Sequence, residues 1–420
     1  MKILYVCRLF TGLEQSLYTK TWSPTGVPTI YKIIEKLDSS DNNVRFILTK
    51  KDVGNGEFST WNEKKDKFIK LKGLRNEFYV LSGAEFFPEY LPRKIVMILR
   101  ECRQVIKILF NVFKFKPNLI YVDHANTITA AILARVTKTP VVYRVMGVYP
   151  YMRNVLSSGS LLHKIMKWSY ASPFRLVICT QDGSGVEGWL NNALKKNVNR
   201  EVLINGVTKL DFDKKKLVKF NEINKDSFVI LFLGKLEEYK GCNDFVSSVL
   251  KLIDKGYKDI TALVIGSGSQ KKILQERVKQ EGLESSFIFI SNLPHDEVVN
   301  AHLRSDIYVS LNKLGNLSNS NLEAMSLGSC IVMPEANYDN GVDVVTKNFI
   351  GLESTLYIPR NASEDYLANS LESLYLDAEK RNLFSQNIMK LSREFIPTWD
   401  ERISHEIEIL KKISHEEEQF

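Results

Sequence analysis

The chain has 420 residues, 44% hydrophobic and 25% charged; that length exceeds one ordinary core and implies two domains, and that composition excludes a disordered or fibrous protein. Cys7, Cys102, Cys179, Cys242 and Cys330 show neither disulfide nor metal spacing and the six histidines form no ligand pair, which argues against a disulfide scaffold and a structural metal and for a reducing compartment. Charge is unevenly placed, +16 over residues 1–200 and −8 over residues 201–420, so the two domains are expected to meet different partners.

The opening "MKILYVCRLF" is too short an apolar run for a signal peptide and reads as a buried first strand. No uninterrupted run approaches the roughly 20 apolar residues of a membrane span, so the expected location is cytoplasmic. Further strands are expected at Val44–Leu48, Phe78–Leu81, Leu119–Val122, Val141–Val145, Leu176–Cys179 and Val202–Ile204. The polar stretch 208–226 reads as a linker. A second set of strands follows at Phe228–Leu233, Ala262–Ile265, Phe287–Ile290, Ile307–Leu311 and Cys330–Met333. Short Val- and Ile-rich runs separated by amphipathic helices are the pattern of parallel strands in βαβ units, and two sets in series imply two doubly wound domains. The tail from Trp399 reads as a helix, with Ile403, Ile407 and Leu410 at helical spacing.

In such sheets ligands lie at the carboxyl ends of the strands, and phosphates favour helix N-termini, where free N–H groups and the helix dipole meet an anion. Three stretches of the second half fit. In "LFLGKLEEYKG" a strand ends, Gly234 allows a turn, and Lys235 and Lys240 precede a helix; two amines there can neutralise a diphosphate. In "VIGSGSQ" the dinucleotide fingerprint lacks its third glycine, with Lys271 in that place, so a tight turn is the better reading of Gly266 and Gly268. In "NKLGNLSNSNLEAMSLGSC" the pair Ser320 and Glu323 matches a capping box, and the same helix start can present Glu323 to a ligand.

These pieces, in this order from Met1 to about Leu410, resemble the retaining glycosyltransferases of the GT-B fold, in the large group that includes bacterial lipopolysaccharide and capsule sugar transferases. "LGKLEEYKG", "VIGSGS", "FIFISNLPHDEVVNAHLRSDIYVSL" and "NLEAMSLG" carry the resemblance in the second half, with "TGVPTIYKIIEKL" and "VLINGV" in the first. The resemblance implies two Rossmann-like domains with a cleft between them: residues 1–207 binding acceptor, a linker at 208–226, residues 227–396 binding the nucleotide sugar, and a helix over 397–420 crossing back to the first domain. It implies that Lys235 and Lys240 bind the donor diphosphate and that Glu323 bonds the ribose hydroxyls. The backbone at Asn319, Ser320 and Asn321 would meet the phosphate and donor sugar. The turn at Asn292 and Leu293 would hold the base, and the turn glycine Gly234 and the first-domain glycine Gly26 would let their loops approach the donor. The implied reaction moves a sugar from a UDP- or GDP-sugar to a glycan or lipid-linked acceptor, with retention, no metal and no cofactor; the departing phosphate helps take the acceptor proton. Two positions depart from the group's pattern: its first glutamate falls on Gly315, and a histidine usual after "PVVYRV" falls on Met146. Arg144 and Asn319 are polar residues able to take over those contacts.

Rival readings are weaker. Asp211 and Asp213 form a D-x-D, the metal and diphosphate motif of another transferase fold, but in the linker rather than at a strand end. A nucleotide-sugar epimerase would need an acid–base constellation that is not found. A non-catalytic partner subunit of another transferase is the rival from a different class. No nucleic-acid motif accompanies the basic half. Arg93, Lys94, Arg100, Arg103, Lys107, Lys114 and Lys116 lie among apolar residues in Leu91–Lys116, and "KKDKFIKLKGLR" adds six more basic groups, so peripheral contact with an anionic membrane is expected.

Overall fold

A computed structural model describes residues 1–40, 42–51, 61–208, 220 and 223–416; Asp211, Asp213 and most of the linker lie outside them. The chain forms two compact units, the first from residues 1–180, 189–203 and the helix beginning at Trp399, the second from residues 181–188 and 204–398. The sequence reading ran the first domain unbroken to residue 207. Residues 181–188 instead cluster with the second unit, where Leu317 N donates to Asp182 O (3.0 Å) and Asp343 N to Gly183 O (2.7 Å).

In the first unit the described strands are β1 Lys2–Leu9, β2 Asn43–Lys50, β3 Lys67–Lys70, β4 Glu77–Leu81, β5 Leu119–Asp123, β6 Val141–Val145, β7 Leu176–Gln181 and β8 Asn199–Ile204. Their order is β3-β4-β2-β1-β5-β6-β7-β8. β1 lies parallel between β2 and β5, with Ile3 opposite Val44 and Leu119. Continuous apolar strands such as β5 are buried on both faces, as parallel sheets covered by helices require. The short edge strand β3, reading Lys-Phe-Ile-Lys, runs antiparallel to β4. Its charge hid it as a strand in the sequence; lysines at an edge also deter pairing with another chain.

The helix Pro28–Ser39 starts on proline, whose fixed φ suits a first turn, and buries Ile30, Ile33, Ile34 and Leu37 at the spacing of one face. The helix Trp399–Glu416 returns to the same core with Trp399, Ile403, Ile407, Leu410 and Ile413. Beneath it Glu406 is fully buried, paired with Arg402 (2.6 Å) and Arg144 (3.4 Å) and accepting from Tyr121 Oη.

The second unit has β9 Phe228–Leu233, β10 Ile260–Ile265, β11 Phe287–Ile290, β12 Ile307–Val309, β13 Ile331–Pro334 and β14 Leu356–Ile358, ordered β11-β10-β9-β12-β13-β14 with every recorded pairing parallel. Strand order reverses between β9 and β12, the place where doubly wound sheets bind ligands outside the carboxyl ends of their strands.

Candidate functional site

The loops after β9 and β12 meet at that reversal. Lys313 N donates to Tyr239 O (3.0 Å), and a Cβ on Gly241 would lie 2.4 Å from Leu311 Cβ. One loop carries Gly234, Lys235 and Lys240; the other leads into the helix Asn319–Ser326. The loop after β10 is drawn in by its glycines. A Cβ on Gly266 would lie 1.8 Å from Gly234 O, and one on Gly268 2.3 Å from Leu236 O. The Gly-x-Gly therefore serves close backbone approach between two loops, and Ser269 N and Oγ complete the contact by donating to Glu237 (3.0 and 2.7 Å). Gly266 N also donates to Ile290 O (2.8 Å), one residue before the turn that holds Asn292 and Leu293. The carboxyl ends of β11, β10, β9 and β12 thus carry all the sequence-derived site residues except Gly26. Gly26 belongs to the first unit, at φ +91° in the loop before Pro28.

The helix start differs from the capping-box reading. Its N-cap is Ser318, not Ser320, so Ser320 and Glu323 lie inside the helix and out of register for a box. Ser318 makes no side-chain cap bond, which leaves first-turn N–H groups open to a ligand. Asn319 Oδ1 accepts from Asn205 Nδ2 (2.7 Å), giving the Asn-Gly-Val stretch its place beside this turn. The Asn321 side chain is committed to structure: it accepts from Tyr308 Oη (2.8 Å) and donates to Asn316 O (2.9 Å) and Ser310 Oγ (3.0 Å).

Lys240 is half-buried and, among the described residues, makes no ion pair; Lys235 is exposed. Burial lowers the Lys240 pKa, the Lys235 charge lowers it further, and the Asp182 carboxylate opposes both. Asp182, absent from the sequence reading, sits in the 181–188 segment. Burial pushes its pKa up to about 6, against hydrogen bonds from Ser184 N (3.0 Å) and Ser184 Oγ.

Also missed was Asp343, which holds the loop after β12 in shape. It accepts from Asn316 N (2.7 Å), Asn316 Nδ2 (2.8 Å) and Thr346 Oγ1 (2.9 Å), with Arg360 at 3.4 Å. Burial raises its pKa, and those donors pull it back. Asn316 has the short polar side chain such a network needs, but its partner lies 27 residues away, beyond any local spacing.

The two departures from the group's pattern resolve differently. At Gly315 the space for a side chain is occupied by the 181–188 backbone. Met146 packs against the first unit's core. Arg144 cannot take over a ligand contact: its guanidinium is 1% exposed, donates to Thr180 Oγ1 (2.7 Å) and pairs with Glu406. Asn319 has already spent its side-chain oxygen on Asn205.

Residues 213–391 match the model of the family described as glycosyl transferases group 1. The chain is 34% identical over 113 residues to a 2-deoxystreptamine glucosyltransferase of Streptomyces kanamyceticus, covering 27% of this chain and 28% of that protein. It is 22% identical over 187 residues to the capsular polysaccharide biosynthesis glycosyltransferase CapM of Staphylococcus aureus, covering 43% and 45%. The matches thus span less than half of either relative. Sucrose-phosphate synthase from Thermosynechococcus elongatus shares the fold over 98% of this chain and 99% of its own, with a TM-score of 0.72 at 13% identity. HepE from Anabaena, in complex with UDP and glucose, does so over 98% and 100%, with a TM-score of 0.66 at 16% identity. Residues 213–391 thus resemble the glycosyl transferases group 1 family, on a chain with the GT-B fold of two Rossmann-like units.

Proposed function

We propose that the protein is a retaining glycosyltransferase that moves a hexosyl or N-acetylhexosaminyl group from a UDP- or GDP-sugar to a hydroxyl of a glycan or lipid-linked acceptor, in bacterial surface polysaccharide synthesis of the lipopolysaccharide or capsule kind. The observation that carries the reading is Lys240 at the β9–β12 reversal, half-buried and without an ion pair among the described residues, with a helix after β12 whose N-cap Ser318 makes no side-chain cap bond. An amine held partly out of water is stabilised by an arriving anion, and a diphosphate also fits a helix N-terminus. Lys235 and Lys240 offset the charge that develops on the leaving diphosphate, and Glu323 accepts from the ribose hydroxyls. Gly234 lets the lysine loop approach the phosphates. Asn319, Ser320 and Asn321 offer backbone N–H groups, and Asn292 and Leu293 border the base. Gly26, in the first unit, is the glycine by which the loop before Pro28 would approach a donor. The CapM likeness supports the polysaccharide setting, and the HepE likeness supports a uridine donor.

The test is thermal shift of the purified protein with a panel of nucleotide sugars, followed by donor turnover, since a ligand that binds only the folded state raises its melting temperature with affinity. A shift with one UDP- or GDP-sugar and its slow hydrolysis support an enzyme. Donor binding with no hydrolysis or transfer under any acceptor favours a non-catalytic partner subunit.

A further inference from the structure

The helix Arg93–Phe115 of the first unit is amphipathic the wrong way round for a helix that only packs on a sheet. Its inward face buries Arg100, Gln104 and Asn111 beside Val96, Val105, Ile108, Val112 and Phe115. Its outward face is apolar: Ile98, Ile106 and Phe113 are each 64% exposed and Phe110 63%, with Ile95 and Leu99 also exposed. At 100° per residue these six, with the exposed Cys102, fall in one stripe along about 27 Å of helix. No charge interrupts the stripe. The helix has a single acidic residue, Glu101, which is turned aside and paired with Lys51 (2.9 Å) and Arg100 (2.8 Å).

An exposed apolar stripe of this length marks a surface that something covers. The charges around it say what. Arg93, Lys94, Lys107, Lys114 and Lys116 are exposed at its ends and margins. Arg103 joins the helix to Asp66 and stacks over Phe86, itself exposed, at 3.7 Å. Asp66 precedes β3, whose neighbourhood exposes Lys64, Lys65, Lys67, Lys70 and Lys72 together with Phe68. Apolar side chains rimmed by amines on one helix are the pattern of a segment lying in the plane of a bilayer, with the apolar face among acyl chains and the amines at anionic headgroups.

We propose that the outward face of helix Arg93–Phe115, with the lysines of the β3 edge, docks the protein on an anionic lipid surface. The docking stands apart from the transfer chemistry. It gives a lipid-linked acceptor a reason to be near the first unit, but it is read without donor.

The experiment is sedimentation of the full chain with phosphatidylglycerol-containing vesicles and with pure phosphatidylcholine vesicles. The wild type should bind the anionic vesicles at low salt and release at 1 M, where the screening length falls to about 3 Å. Ile106→Glu combined with Phe110→Glu, both at exposed sites, should lower binding about tenfold or more with the circular dichroism unchanged. Replacing Lys94, Lys107 and Lys114 by Ser leaves the apolar stripe intact and should abolish the preference for anionic vesicles, as should Ser at Lys64, Lys65, Lys67, Lys70 and Lys72. Lys240→Ala should bind vesicles like wild type whether or not it transfers sugar, which separates this proposal from the functional one. Absence of wild-type binding at low salt, equal binding to both vesicle types, or full binding by the Glu variants overturns it. So does a dimer that the Glu variants dissociate while vesicles bind nothing, which would make the stripe an interface between copies.

Discussion

A Cβ on Gly315 would lie 2.6 Å from the carbonyl oxygen of Asp182, with Ser184 N at 2.8 Å. Gly315 also holds φ at +142°, outside the range favoured by residues with a side chain. The glycine is thus what lets the backbone of residues 181–188 pack on the loop after β12 within the second unit. Gly315→Ala should destabilise the protein by about 2 kcal/mol or more, since backbone on both sides must yield. Restoring the group's residue, Gly315→Glu, should harm rather than help. Wild-type melting temperatures for both would show that the segment moves freely.

Asp182 carries a pH signature. Its folded pKa, near 6, exceeds that of an ordinary unfolded aspartate, near 3.9. The folded state therefore holds the proton more tightly, and stability falls as pH rises from about 4 to 6. Asp182→Asn keeps the shape without the charge. It should raise stability by up to about 3 kcal/mol at pH 7 and change little at pH 3.5, where the folded carboxyl is neutral. Chemical denaturation at the two pH values checks this; an equal effect at both would remove the buried-charge account.

Lys240→Ala should lower donor turnover by roughly 10²-fold, the scale of losing one preorganised charge at a developing anion. It should change stability little, because burial already disfavours the ammonium and offsets the loss of its attraction to Asp182. Steady-state kinetics with the donor found by thermal shift decides; unchanged turnover removes the diphosphate role.

Glu323→Gln separates ligand contact from structure. Glu323 is not part of a capping box, and its neutral isostere keeps the shape of the side chain, so the circular dichroism should stay unchanged. Losing charge-assisted bonds to a ribose should weaken donor binding by about 1.5–3 kcal/mol, roughly ten- to a hundredfold. Calorimetric titration with the nucleoside diphosphate measures it.

Glu406→Ala should cost about 3–5 kcal/mol, because it strands Arg144 and Arg402 in the first unit's interior without their shared carboxylate. The melting temperature reads this directly. A mild effect would mean that water enters beside the two guanidinium groups.

Much of the fold was written along the chain. Buried parallel strands must be continuously apolar, so β1, β5, β9 and β10 announced themselves, and the helix from Trp399 showed its core face through Ile403, Ile407 and Leu410. The positions of Lys235, Lys240 and the helix start at Asn319 were legible for a local reason: each lies in the loop, at most ten residues long, that follows a strand, and the sheet collects such loops at one end. What only the tertiary structure decided depends on partners far apart in sequence. The Gly266 side chain is missing because Gly234 O stands there, and Gly315 because Asp182 does. Asp343 shapes a loop 27 residues before it. The cap fell on Ser318 although Ser320 and Glu323 had the spacing of a box, because the loop around Asn316 and Asn321 sets where the helix begins. In Arg93–Phe115 the periodicity showed an amphipathic helix, but only packing could say which face turned inward: the sheet side has partners for Gln104 and Asn111, and the isoleucines and phenylalanines were left outside.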